Sequence, residues 1–247
     1  MNEPIISSPQ NPTVKLIRSL VEKKHRQDTG LFVAEGEKVM ERARQEGWEP
    51  DYVVSLRTQT PWGKARQLLA DERVMASLSS QKNASPVVAV FRQRWTEDVT
   101  HSGTWVALED LRDPGNLGTI IRTADAVAAS GVILAGQSCD PFSPDCVRAT
   151  MGSIFGMPLI RMTTADLIAT CKAWPGEVAG THLDGTIHYR KNYGNPALIV
   201  MGSEGKGLSR EVAEACSSLI RIPMKRGPES LNVAIAAGLM LYEAVKP

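Results

Sequence analysis

The chain has 247 residues, enough for one large domain or two small ones. Its 43% apolar and 5% aromatic content is that of an ordinary α/β protein, and no apolar run is long enough to span a bilayer. The formal charge of +1 hides an asymmetry: residues 1–95 hold 15 Lys+Arg against 11 Asp+Glu, and residues 96–247 hold 13 against 16. A basic first part is suited to a polyanion, and equally to a solvated surface.

In chain order, Ser7 to Pro12 is a turn-rich entry. Val14 to Lys24 has apolar residues at Val14, Ile17, Leu20 and Val21, the spacing of one helix face. Its other face carries Lys15, Arg18, Lys23 and Lys24, followed by His25 and Arg26, a basic end able to grip phosphates. Leu31–Ala34 is predicted as a strand, Glu37–Glu46 as a helix, Tyr52–Leu56 as a strand, Pro61–Leu69 as a helix and Val87–Phe91 as a strand. This alternation predicts a small α/β domain over residues 1–95. Residues 96–103 are polar and read as a linker, and residues 104–247 as a second domain.

The second part opens with a buried strand, Trp105–Leu111, then the loop Arg112–Gly118 and a helix from Thr119 to Ala129. Further strands are predicted at Val132–Ala135, Pro158–Met162, Glu177–Thr181, Ala197–Met201 and Leu219–Ile222, with helices at Cys146–Gly152 and Ala165–Lys172. Ser230 is the expected N-cap of a last helix that runs from Leu231 to Val245. Strand–helix alternation with glycine loops after the strands indicates a parallel sheet covered on both faces. Ligands of such sheets bind at the carboxyl ends of the strands.

Several chemistries fail on spacing. Cys139, Cys146, Cys171 and Cys216 include no C-x-x-C pair, so reduced thiols are expected rather than a disulfide framework or a zinc site, and no metal site is expected. Met1-Asn2-Glu3-Pro4 shows no basic region followed by an apolar core, so no secretory signal is expected and the cytoplasm is the simplest compartment. Lys206 is followed by Gly207 where a Walker A loop needs Ser or Thr, and Gly115 and Gly118 are spaced only G-x-x-G, so the dinucleotide fingerprint G-x-G-x-x-G is absent. No nucleophile elbow occurs. What remains is three glycine-containing loops with a few polar side chains, namely Asn116 and Arg122 with the first, Glu204 in the second, and Ser230 and Asn232 in the third. Arg122 stands in an otherwise apolar stretch, where an arginine must snorkel, find a partner such as Asp125 or Glu204, or line a cavity.

Together these loops resemble the SpoU (TrmH-like) RNA ribose methyltransferases of the SPOUT superfamily. The matching stretches are Leu108-Glu109-Asp110 with Asn116 to Ala124, then Val200 to Leu208, then Ile222-Pro223-Met224 with Ser230 to Ala234. Ser8, Asn11-Pro12, the basic helix and Phe32 to Gly36 resemble the substrate-binding domain often found in front of this fold. The resemblance implies an α/β parallel sheet with a deep trefoil knot, preceded by a small RNA-binding domain. It implies S-adenosylmethionine as cofactor, held through Thr181, Gly202, Ile222 and Leu231, and methyl transfer to a ribose 2′-hydroxyl of ribosomal or transfer RNA. It assigns Arg122 as the group that accepts the hydroxyl proton or stabilises the developing alkoxide, with Asn116, Glu204, Ser230 and Asn232 orienting it, the RNA and the loop. It also implies a homodimer, for which Val233 to Val245 is a candidate contact. The competing readings are an RNA-binding protein without catalysis and a methyltransferase acting on a base or a protein.

Overall fold

A computed structural model describes residues 5–79, 83–224 and 230–245. They form two compact units, residues 1–94 with 140–156, and residues 95–139 with 157–247.

In the first unit, α1 (Pro12–Ser19) starts with Asn11 capping the amide of Thr13 and a proline at the first turn, where its missing N–H costs nothing. The basic stretch then breaks, and α2 (Lys23–Thr29) is a separate helix. Behind them lies a sheet of order β1-β4-β2-β3, from β1 (Leu31–Glu35), β2 (Tyr52–Ser55), β3 (Arg66–Leu69) and β4 (Val87–Arg92). Helix α3 (Glu37–Gln45) follows β1, and α4 (Glu72–Leu78) follows β3. The helix expected over 61–69 is instead a turn and a strand. Gly63 there adopts φ +44°, and residues 66–69 pair in parallel with β2. A four-residue run does not distinguish helix from strand by period, so the sheet edge decides.

One core of this unit packs Val14, Ile17 and Leu20 against Val54, Val74, Met75, Val88 and Val90. A second is aromatic and gathers all four phenylalanines of the chain around Trp48. Phe32 meets Phe142 with centroids 4.9 Å apart, Phe91 meets Phe155 at 4.8 Å, and the Trp48 indole donates to the Phe155 carbonyl at 2.8 Å. Phe142 and Phe155 flank α6 (Pro144–Thr150), and their burial is why residues 140–156 belong with this unit and not with residues 104–247 as expected. Arg26, expected to face phosphates, is 3% exposed. Its guanidinium holds Asp140 through two nitrogens at 2.9 and 2.8 Å and donates to the carbonyls of Leu20 and Val21. Lys15, Arg18, Lys23, Lys24 and His25 remain exposed.

The second unit is a seven-stranded parallel sheet in the order β7-β6-β5-β10-β8-β11-β9. Its strands are β5 (Thr104–Glu109), β6 (Gly131–Ala135), β7 (Leu159–Met162), β8 (Glu177–Thr181), β9 (Ile187–His188), β10 (Ala197–Met201) and β11 (Ser218–Arg221). The helices are α5 (Pro114–Ala126), α7 (Thr164–Ala173), α8 (Arg210–Ala215) and α9 (Val233–Ala244). Central β5 and β10 are buried along their whole length, which is why they read as continuous apolar runs. Gly131 does more than end a helix: a Cβ there would come within 2.3 Å of the buried Trp105 ring. Strands β6 and β7 lie on one side of β5 and β8 to β11 on the other, so a topological switch point lies between β5 and β10. Among the described residues no helix is long and apolar enough to cross a membrane.

Candidate active site

Loops leaving the two strands beside a switch point diverge and open a crevice at the carboxyl edge. Here that edge holds a cavity of about 350 Å³. Its walls come from the ends of three strands: Thr181 to Asp184 after β8, Met201 to Gly207 after β10, and Ile222, Met224, Ser230 and Leu231 after β11. Thr181, Gly202, Ile222 and Leu231, the four residues assigned to the cofactor, all line it, as do Glu204 and Ser230. Residues 225–229, part of the third loop, lie outside the described residues.

The second loop is a tight turn closed by two hydrogen bonds, Ser203 N to Gly207 O at 3.1 Å and Gly207 N to Ser203 O at 3.0 Å. Gly202 passes so close beneath this turn that a Cβ would lie 1.9 Å from the Gly207 carbonyl carbon. Downstream, the loop is anchored by Glu109, a carboxylate only 4% exposed at the end of β5. It accepts from Ser209 N at 2.8 Å and Ser209 Oγ at 2.6 Å. Ser209 in turn caps α8.

The first loop is shorter than expected. Asp113 caps α5, and Pro114 opens the helix, so Asn116 sits in its first turn and not in a loop. Glu204 reaches across the crevice and accepts from the amides of Arg112 and Asp113 at 3.2 and 3.1 Å and from Asn116 Nδ2 at 3.2 Å. Burial pushes the Glu204 carboxyl up, but its own amide, those of Asp113 and Arg112, and the Asn116 side chain outweigh this and hold it below the usual carboxylate value. Asn116 Oδ1 then accepts from Asn232 Nδ2 at 3.0 Å. Asn232, not Ser230, caps α9, accepting from the amides of Ala234 and Ile235. Ser230 lies two residues earlier, exposed in a bend.

Glu204, Asn116 and Asn232 are thus one hydrogen-bonded chain joining all three loops. Arg122 is outside it. The side chain is exposed on α5, and no described residue hydrogen-bonds or ion-pairs with it. Neither Asp125 nor Glu204 is its partner, and it is not among the cavity's lining residues. Residues that sequence reasoning missed include His182, Asp184 and Lys206, which also line the cavity. The position of a polar turn just after a strand was their only signal.

A parallel sheet with a cavity at the carboxyl ends of β8, β10 and β11, one strand away from the switch point, defines the class of α/β proteins that bind a small molecule at the strand ends. Comparison with known proteins narrows it. Residues 103–242 match the SpoU rRNA Methylase family, and residues 11–89 match the MRM3-like substrate binding domain. The structure of an AdoMet-bound rRNA methyltransferase from Sinorhizobium meliloti superposes with a TM-score of 0.90 at 41% identity, covering 97% of this chain and 96% of that one. A tRNA/rRNA methyltransferase of Synechocystis is 33% identical across 97% of this chain and 92% of its own length. The 23S rRNA (guanosine(2553)-2′-O)-methyltransferase RlmP of Bacillus subtilis is 28% identical across 96% and 97%. The chain belongs to the SpoU rRNA methylase family of RNA methyltransferases.

Proposed function

We propose that this protein transfers a methyl group from S-adenosylmethionine to a ribose 2′-hydroxyl of structured RNA, with ribosomal RNA as the substrate. The observation that carries the reading is the cavity that joins Thr181, Gly202, Ile222 and Leu231 with Glu204, from which hydrogen bonds run on to Asn116 and Asn232. The cavity suits the cofactor: its volume is within the range of small-molecule sites, and its walls combine apolar side chains such as Met201, Ile222 and Leu231 with polar ones such as Thr181, Asp184 and Glu204. Cβ atoms at Gly205 and Gly207 would meet nothing within 4 Å, which leaves room for a ligand against the backbone. The carboxylates of Asp184 and Glu204 at the walls complement a positive sulfonium. The cofactor supplies an electrophilic methyl group, so the transfer requires no metal. The RlmP name supports the ribose 2′-oxygen and ribosomal RNA as acceptor.

The protein's own part is to make a weak nucleophile react. A hydroxyl at neutral pH needs its proton removed or its developing charge stabilised. Arg122 takes the second role: a guanidinium carries only N–H donors, so it stabilises the developing alkoxide and holds the adjacent phosphate, while the hydroxyl proton leaves to water and S-adenosylhomocysteine departs. Asn116, Glu204, Ser230 and Asn232 set the loop geometry around it. The trefoil knot belongs to the same reading.

A second copy of the chain covers α9, whose Ile235 and Tyr242, 57% and 62% exposed, lie seven residues apart on one face. The reading places the protein in the cytoplasm as a homodimer. Incubation with ribosomal RNA and isotope-labelled S-adenosylmethionine, followed by nucleoside mass analysis, tests the reaction. A 2′-O-methyl nucleoside is expected; a methylated base refutes the ribose assignment, and no labelled RNA with no cofactor binding by titration calorimetry leaves an RNA-binding protein without catalysis. Sedimentation tests the dimer.

A further inference from the structure

Next to the cavity, the edge of the large sheet carries a feature that methyl transfer itself does not use. Strand β9 is paired on one side only, with Ile187 opposite Ile220 and His188 opposite Arg221. The His188 and Tyr189 rings stack at 5.0 Å with an interplanar angle of 28°. Arg190 lies 5.5 Å from the Tyr189 ring centre, and its Nε donates to the Tyr189 hydroxyl at 3.0 Å. The turn is pinned by Arg190 N donating to His188 Nδ1 at 3.0 Å and by Tyr189 N donating to the Arg221 carbonyl at 3.1 Å. A shallow groove lies here, lined by Gly185 to His188, Arg221 and Pro223, and it shares Asp184 with the cavity. His188, Arg190 and Arg221 are exposed. The nearby Glu177 does not offset them, because it is engaged by Lys191, Gly194 and Ser218.

An aromatic platform beside exposed cations, next to the reacting site, matches the two features of single-stranded nucleic acid, a π-face and a phosphate. We infer that this groove seats a nucleotide flanking the methylated ribose, its base against the His188 ring and its phosphate between Arg221 and Arg190. The inference rests on RNA being the methyl acceptor. His188, Arg190 and Arg221 are then positioning residues, and the chemistry stays at the cavity.

The test is methylation kinetics on ribosomal RNA with His188→Asn, which can keep the hydrogen bond to the Arg190 amide while removing the ring, and with Arg221→Ala. The expected result is a KM for RNA raised about tenfold in each, from the loss of one stacked base or one phosphate contact. The kcat stays within about twofold, because chemistry at the bound ribose is untouched. Affinity for S-adenosylmethionine is unchanged. The salt slope of RNA binding falls by about 1 for Arg221→Ala and not for His188→Asn. His188→Phe and Arg221→Lys restore most of the loss. Wild-type KM and salt slope in both His188→Asn and Arg221→Ala overturn the inference while methylation by the wild type stands. A wild-type protein that methylates no RNA brings down both.

Discussion

Replacing Gly202 with alanine puts a methyl group where the backbone of its own loop already is. The new Cβ would lie 1.9 Å from the Gly207 carbonyl carbon, 2.1 Å from Leu208 N and 2.2 Å from Gly207 O, whereas real Cβ contacts stay beyond 3.0 Å. Backbone atoms cannot rotate away as a side-chain tip does. The turn at 203–207 must therefore move by about 1 Å, which strains its two closing hydrogen bonds and the Ser209–Glu109 anchor behind it. Overpacking of this kind costs about 2 kcal/mol. In a chain of this length that lowers the thermal midpoint by about 4–8 °C. The same displacement moves one wall of the cavity, so methyl transfer falls by about 100-fold. Gly205→Ala is the control for the thermal midpoint alone, since a Cβ there meets nothing within 4 Å and its φ is not in the left-handed region, although it projects at the cavity wall. Differential scanning fluorimetry, titration calorimetry with S-adenosylmethionine and a methyl-transfer assay read the three effects. Gly202→Ala with wild-type cofactor affinity and turnover would show that this loop does not wall the cofactor.

Arg26→Ala strands the Asp140 carboxylate, the buried Leu20 carbonyl and the partly buried Val21 carbonyl, so the first unit loses about 3–5 kcal/mol in denaturant titration; a loss under about 1 kcal/mol contradicts a buried pair. Arg122→Ala abolishes methyl transfer while the thermal midpoint and cofactor affinity stay near wild type, as expected of an exposed side chain; full activity removes Arg122 from the mechanism. Glu204 titrates below the free-glutamate value of about 4.3 in the folded protein. As pH falls the unfolded chain takes up this proton first, so the stabilisation is complete above about pH 5 and is lost as pH drops through the folded value. The midpoint gap between wild type and Glu204→Gln should therefore shrink from pH 7 to pH 3, and a constant gap refutes the assignment.

What could be read from residues alone was local. The apolar runs Trp105–Leu108 and Ala197–Met201 announced buried parallel strands because both faces of such strands are covered. Pro12 and the glycine loops announced bends, because φ restriction and the missing Cβ act within a residue or two. The motif order, and for Thr181 its place at a strand end, brought Thr181, Gly202, Ile222 and Leu231 together, and the fold places all four on one cavity. Tertiary structure alone decided the rest. The Glu204–Asn116 bond spans 88 positions and the Asn116–Asn232 bond 116, and no periodicity carries information over such distances. Arg26 looked like a surface cation until Asp140, 114 residues away, and two carbonyls closed around it. Residues 140–156 read as part of the second domain because the chain passes through it there; the Phe32, Phe91 and Trp48 rings draw Phe142 and Phe155 into the first unit. Burial against distant side chains is set by how the whole chain packs, and a local window of sequence does not contain the partner.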